Sequence, residues 1–562
     1  MNRSKHRFDP PDELSGEEFE SLSREEIERV RNVRNAIEAG LRSHRKGDLR
    51  QAANIYYHVL ELHSDQADAL HLLGLISYQS GEADAALRLV SRAMASDPKN
   101  SIFHISRGDI LQALGRLTGA VEAYRKGLAL DPELPEGYNN CGNALHTQKK
   151  LQEAASYYQH AIAIKPDYSA AHNNLGNVRR DQGRIEDSIA SFETALRYTP
   201  DYATVHNNLG NALRDAGRIE EAISSHRRAL KLEPEFAEAH FNLGNALCEA
   251  SNLDEAAISY RKAVALRPNF ADAYYNLGNA LRDDGLNEQA IDAYRGAVGI
   301  RPAHADAHNN PANIFKDLGR YDDARFHFRI VLKLDPASSN AAHMLAALEG
   351  RTTEIAPRDY VHDMFERYAP IFETQLVSEL DYQAPSHLHA AVKRCHRGRF
   401  DTALDLGCGT GLVSAHFDDV VGSWYGADLS PAMIVEAASR GAYEELYVDD
   451  IVDFLTGGTG GVARFDLITA ADVFIYIGNL APTFAGVRDR MAQNGLFAFT
   501  VEPADAADYV LRPTGRYSHG KGYILALAEM HGFDVETCDT VTLRREHGQP
   551  VTGLVFVLKS KR

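Results

Sequence analysis

At 562 residues the chain exceeds what a single hydrophobic core serves, so two or more domains are expected. Its 44% apolar and 25% charged content is ordinary globular composition and argues against wholesale disorder. A formal net charge of −18 argues against general binding to nucleic acid or anionic membrane, because such binders neutralise phosphate with basic surfaces.

The N-terminus, "MNRSKHRFDPPDELSGEEFESLSREE", has no apolar core of signal-peptide type. No window of the chain approaches the roughly 18 apolar residues of a membrane span. The cysteines (Cys141, Cys248, Cys395, Cys408, Cys538) are scattered with no CxxC pair, which suits a reducing compartment and no zinc site. A cytoplasmic protein with no membrane and no nucleic acid as partner is expected. Residues 1–32 read as an N-terminal extension, partly disordered, with Pro10 and Pro11 as breakers and a short charged helix from Glu17.

Self-similarity dominates residues 33–350. "AAHNNLGNVRRDQGRIEDSIASFETALRYTPDY" (170–202) aligns with "TVHNNLGNALRDAGRIEEAISSHRRALKLEPEF" (204–236), and the pattern continues through "DAYYNLGNALRDDGLNEQAIDAYRGAVGIRPAH" (272–304). The period of about 34 residues is that of a helix–turn–helix repeat. Gly74, Gly108, Gly142, Gly176, Gly210, Gly244 and Gly278 fall in phase, where two helices must cross closely. So do Ala86, Ala120, Ala154, Ala222, Ala256 and Ala290, and the prolines from Pro98 to Pro336 that end the second helices. The segment resembles tetratricopeptide (TPR) superhelices: about nine repeats, from 33–66 to 305–338, and a capping half-repeat at 339–350. The last repeat reads "NNPAN" rather than "NNLGN". Its Pro311 is either a tolerated distortion or a bend that aims the array, since a helix-interior proline costs about 3 kcal/mol.

The first helix of successive repeats carries two asparagines three residues apart, and so on one face. Asn140, Asn174, Asn208, Asn242, Asn276 and Asn310 lead these pairs; Asn143, Asn177, Asn211, Asn245, Asn279 and Asn313 follow. First helices line the concave surface of TPR arrays, so the resemblance implies a ladder of amides along a groove. Similar ladders in O-linked N-acetylglucosamine transferases hold extended polypeptide. A carboxamide offers donors and an acceptor to a peptide backbone, which makes a protein or peptide the expected partner. The alternative is packing and hydrogen bonding between helices. His172, His206, His240 and His308 recur at repeat spacing rather than as a cluster, and no metal is expected.

After Gly350 the pattern changes, with linker or lid helices over 351–397 and an α/β domain over 398–562. "TALDLG", "GSWYGADLS", "ELYVDDI", "RFDLITAAD" and "NGLFAFTVE" read as successive strands with helices between them. "FDVETCDTVTLRREHGQPVTGLVFVLKS" reads as a terminal hairpin. The order resembles class I S-adenosylmethionine-dependent methyltransferases. The expected fold is therefore an α-solenoid followed by a Rossmann-like α/β domain.

A dinucleotide G-x-G-x-x-G from Gly407 would need glycine at Leu412. What stands there is D-x-G-x-G-x-G, Asp405, Gly407, Gly409 and Gly411 with Cys408 among them, the methyltransferase form. The resemblance implies S-adenosylmethionine as cofactor. Asp405 would face its cationic end, Asp428 with Leu429 its ribose, Asp450 with Ile451 its adenine, and Asp472 the pocket wall. These acids end successive strands, at the usual ligand edge of an open α/β sheet.

Phe365, Tyr368, Phe372 and Leu376 share one helix face in the linker. The segment resembles the F-D-x-x-A-x-x-Y-D lead of small-molecule methyltransferases, with Glu366 and Glu373 replacing the aspartates. Nearly the whole chain resembles predicted bacterial methyltransferases with N-terminal TPR repeats. "AADVFIY" after the fourth strand lacks the Asn/Asp-Pro-Pro-Tyr of amide and adenine methylation, and the paired-glutamate loop of arginine methyltransferases is also missing. His519, Tyr476 and Glu502 are candidate acid–base groups. His519 leads because its ordinary pKa suits proton removal near neutrality, with helix capping as its alternative role. Three readings follow: a methyltransferase that recruits a protein or peptide through its groove, a small-molecule or glycan methyltransferase docked by its array, and a scaffold that binds cofactor without turnover.

Overall fold

The computed structural model describes residues 24–369, 372–373, 380–457, 464–505, 508–546 and 548–561. The expected tail, the helix start at Glu17 and Leu376 lie outside these residues. The chain divides into two compact units, Met1–Pro268 and Asn269–Arg562.

The first unit opens with the helix Arg24–Arg45, followed by Leu49–Leu62. From Ala67–Gln79 to Leu253–Leu266, helices of 13 and 14 residues then alternate. The glycine of the first helix lies against a ring from the second in most repeats, and against Val90 at Gly74. A Cβ at Gly142 would stand 2.6 Å from Tyr158 Cε1, and one at Gly244 2.6 Å from Tyr260 Cε1. Phe192 and His226 supply the ring in two repeats. In-phase alanines such as Ala120, Ala154 and Ala222 are fully buried at the same crossings.

The asparagine face binds neighbouring repeats together. Tyr158 Oη donates to Asn143 Oδ1 at 2.7 Å, and Asn174 Nδ2 donates to the same oxygen at 3.0 Å. Asn174 also reaches Asn139 Oδ1 (2.9 Å), Asn208 reaches Asn173 (2.9 Å) and Asn242 reaches Asn207 (3.0 Å). Asn140 Nδ2 donates to Asp109 at 2.9 Å. Where His226 replaces tyrosine, the buried Asn211 Oδ1 finds no donor among the described residues.

In the second unit, two more repeats (Ala271–Asp283 to Tyr321–Leu334) and the helix Ser339–Leu348 precede the α/β domain. The amide pattern persists: Asn310 Nδ2 donates to Asn279 Oδ1 at 2.8 Å, which also accepts from Tyr294 Oη. Helix Ala305–Asp317 runs unbroken through Pro311, which is buried. The structural division thus falls at residue 268, whereas the period changes at Gly350. The final helix explains why: Ala346 and Ala347 share an apolar cluster with Ala356, Leu511 and Tyr517 of the α/β domain.

Among the described residues the domain holds a seven-stranded sheet in the order β3-β2-β1-β4-β5-β10-β9. The strands are β1 (Phe400–Leu406), β2 (Val421–Asp428), β3 (Tyr443–Val448), β4 (Phe465–Ala470), β5 (Met491–Val501), β9 (Phe533–Glu546) and β10 (Gln549–Ser560). β1 to β5 are parallel, and β10 runs antiparallel to both β5 and β9. A second, small sheet of β6 (Pro503–Ala504), β7 (Tyr509–Leu511) and β8 (Tyr517–Gly520) was not foreseen, because strands this short carry no readable alternation. One face of the main sheet buries Leu404, Ile468, Phe497 and Phe556; the other buries Trp424 and Phe400 beneath helix Ala384–Cys395.

Candidate functional site

A cavity of about 340 Å³ opens at the carboxyl ends of β1, β2 and β4, within the range of small-ligand sites. Gly407 and Gly409, after β1, hold left-handed φ of 61° and 53°. A Cβ at Gly407 would stand 2.6 Å from Val473 Cγ2, so the backbone there passes where no side chain fits. Asp428 and Leu429 after β2, Asp450 and Ile451 after β3, and Asp472 after β4 complete the floor. The turn and the acids are coupled: Asp428 Oδ2 accepts from Gly409 N and Oδ1 from Ser430 N, both at 2.9 Å. Asp450 Oδ1 accepts from Val452 N at 2.8 Å and so caps the following helix.

Three residues of the glycine motif lie behind the cavity wall. Asp405 is fully buried and accepts from Thr469 Oγ1 (2.8 Å) and Tyr443 Oη (2.9 Å). Burial, partly offset by these bonds, pushes its pKa up to about 7. Cys408 is buried against Gly426, and Gly411 opens the short helix Leu412–His416.

Met364, Phe365, Tyr368 and Phe372 cover the cavity from the segment beginning with helix Arg358–Tyr368. Both glutamates that depart from the lid pattern fasten this cover. Glu366 Oε1 accepts from Ser430 Oγ (2.7 Å) and Ala432 N (3.0 Å), bonds that hold its pKa below the usual carboxylate range; Glu373 pairs with Arg440.

Residues 404–497 match the family described as methyltransferase domain. Residues 108–285 match the TPR repeat family in five overlapping segments, and 44–110 and 271–338 match further tetratricopeptide repeat families. The chain is a tetratricopeptide-repeat protein with a C-terminal methyltransferase domain. A curated relative, dTDP-3-amino-3,6-dideoxy-alpha-D-glucopyranose N,N-dimethyltransferase of Streptomyces fradiae, is 34% identical over 101 residues. That match takes in 18% of this chain and 37% of the relative, so the chain spans little more than a third of that enzyme.

Solved structures similar to the chain include YrrB, described as a TPR protein with an unusual peptide-binding site. It is 27% identical over 33% of this chain and 96% of its own, at TM-score 0.29. PilF of Pseudomonas aeruginosa is 24% identical over 36% and 93%, at TM-score 0.33. Likeness at these TM-scores bears on no functional point. No helix among the described residues is long and apolar enough to cross a membrane.

The remaining wall of the methyltransferase-domain cavity was not foreseen. Tyr382, Arg516 and Arg544 line it beside Tyr476. Arg544, only 4% exposed at its side chain, meets a carboxylate at every nitrogen: Nη1 with Asp472 (2.6 Å), Nη2 with Glu502 (2.5 Å) and Nε with Glu546 (2.8 Å). Arg516 shares Glu546 with it. The basic "RR" in the terminal hairpin was the available signal, and only the return of β9 to the sheet brings it here.

Of the candidate acid–base groups, Tyr476 alone lines the cavity. Burial pushes its phenol pKa up, against the pull of nearby Arg516 and Arg544. Glu502 lies behind the lining, bound by Arg544. His519 is fully buried outside it, with Nε2 2.9 Å from Ile477 O and 3.1 Å from Gly478 O. Desolvation lowers its pKa to about 4. The ring therefore braces the turn after Tyr476, contrary to the expected position of a base in the pocket.

Proposed function

We propose that the chain is an S-adenosylmethionine-dependent methyltransferase whose TPR groove recruits a protein or peptide as substrate or partner. The observation that carries the cofactor assignment is the set of Gly407, Gly409, Asp428 and Asp450 on one cavity. The acids suit hydroxyl and amine donors, Leu429 and Ile451 offer an apolar bed for a purine ring, and the side-chain-free turn admits a bulky ligand. When bound, the cofactor supplies a methyl group on an activated sulfonium, so that in-line displacement needs chiefly a positioned acceptor. Glu366 and Glu373 hold the aromatic cover down and exclude water. The Tyr476 phenol, protonated at neutral pH, orients an acceptor by donating a hydrogen bond.

A second reading, a small-molecule or glycan acceptor with the array as a docking surface, draws support from the amides. Many of the groove asparagines already bond one another across repeats. Incubation with methyl-labelled S-adenosylmethionine and lysate of the native host, products separated by size and an Asp428→Ala control alongside, tests both. Label in discrete polypeptides supports recruitment, and label confined to small molecules supports the second reading. Absence of cofactor binding by calorimetry defeats both.

A further inference from the structure

We infer that Arg516 anchors the methyl acceptor and that the acceptor presents a carboxylate to it. The inference rests on the reading of this cavity as the methyl-transfer site and names the chemistry that the site selects.

Among the described residues three arginines line the cavity. Arg358 pairs with Asp449 and Asp453. Arg544 is hidden, and Asp472, Glu502 and Glu546 engage its three nitrogens. Arg516 differs: its side chain keeps 30% exposure and bonds Glu546 through Nη1 alone among its carboxylate contacts. It lines the cavity beside the Tyr476 phenol, to which it is hydrogen-bonded, with Tyr382 on the same wall.

A planar guanidinium edge flanked by phenols is a recognition surface for a planar anion, which it meets through paired charge-assisted hydrogen bonds. The neighbouring acids compete little for it. Asp472 is satisfied by Arg544 and Thr500, Glu502 by Arg544, and Glu546 by both arginines. Burial keeps the Tyr382 and Tyr476 phenols protonated, as donors rather than rival anions. Phe365, edge-on to Tyr476 at 5.5 Å, leaves an apolar flank for the rest of the acceptor.

A carboxylate reaches this site either on a small acid or on an acidic side chain of a peptide, and paired probes separate the two. Full-length protein is titrated with benzoate against benzamide, and with an oligoglutamate peptide against its oligoglutamine counterpart, by calorimetry and thermal shift. We expect the acid of at least one pair to bind about tenfold or more tightly than its amide. Arg516→Met should abolish that preference, and Arg516→Lys should retain part of it. Preference in the first pair alone identifies a small acid, and preference in the second a peptide.

Equal binding of acid and amide in both pairs overturns the inference, as does an Arg516→Met variant that keeps the preference. The comparison within each pair is unaffected by any general loss of stability. Failure of the wild-type chain to bind S-adenosylmethionine defeats the methyltransferase reading instead, and the acid–amide comparison remains readable without it.

Discussion

His343 Nε2 lies 3.0 Å from the carbonyl oxygen of Gly515, so the last helix of the repeats touches the turn that carries Arg516. His343 is buried, and desolvation lowers its pKa despite this bond. Thr353 and Tyr517 add a hydroxyl contact at 2.5 Å beside it. The acceptor wall is thereby built partly on the repeat array. His343→Ala should destabilise the chain by about 1 kcal/mol in urea unfolding, through loss of one buried hydrogen bond.

Gly515 combines a φ of 80° with a crowded neighbourhood: a Cβ would stand 2.5 Å from Met344 Cε and 3.3 Å from Tyr360 Oη. Gly515→Ala should therefore cost about 1–3 kcal/mol. Met344→Ala in the same chain should recover the steric part and leave the backbone part. A double-mutant cycle in denaturant measures the coupling; strict additivity would contradict this contact.

Asp405 makes a pH dependence with a defined sign. Its pKa rises from 3.8 to about 7 on folding, so between those values the folded chain holds a proton that the unfolded chain releases. That contribution to stability is complete below about pH 4 and is lost as pH rises to about 7. Asp405→Asn should flatten this part of the stability–pH curve, measured by denaturant unfolding at several pH values without cofactor. An unchanged slope would show that the group does not titrate there.

Asp428 binds the backbone of Gly409 as well as facing the cavity, so Asp428→Asn weakens both turn and site. Affinity for S-adenosylmethionine should fall by about tenfold or more in calorimetry, from loss of charge-assisted bonds. His519→Ala should lower thermal stability while leaving the pH profile of turnover unchanged near neutrality, since the ring stays neutral and outside the cavity.

Asn174→Ala removes the donor to Asn139 and Asn143 and should destabilise the array by about 1–2 kcal/mol, followed by circular dichroism on heating. The same variant tests recruitment. Unchanged labelling of polypeptides would assign the amide to cohesion between repeats alone.

The helix pairs and the acid-tipped strands were legible because each rests on local spacing: glycine and alanine at crossings, aspartate at successive strand ends. What those signals missed depends on distant parts of the chain. Tyr382 precedes the sheet, Arg516 sits on a turn between two strands too short to read, and Arg544 returns on β9. His519 looked attractive from its ordinary pKa, and burial against two carbonyls is invisible until the turn at Ile477 is in place. The division at residue 268 was equally hidden, since the period continues across it unchanged.

The position of β10 bears on how the molecule comes into being. It lies between β5 and β9, so the edge strand β9 cannot join the five parallel strands until residues 549–560 have left the ribosome. The repeats of the first unit, whose contacts are local in sequence, are free to assemble while β9 still waits for its neighbour. During synthesis the cell thus holds the assembled repeats of the first unit attached to an unfinished sheet, and it is the sheet that a holding chaperone would have to shield.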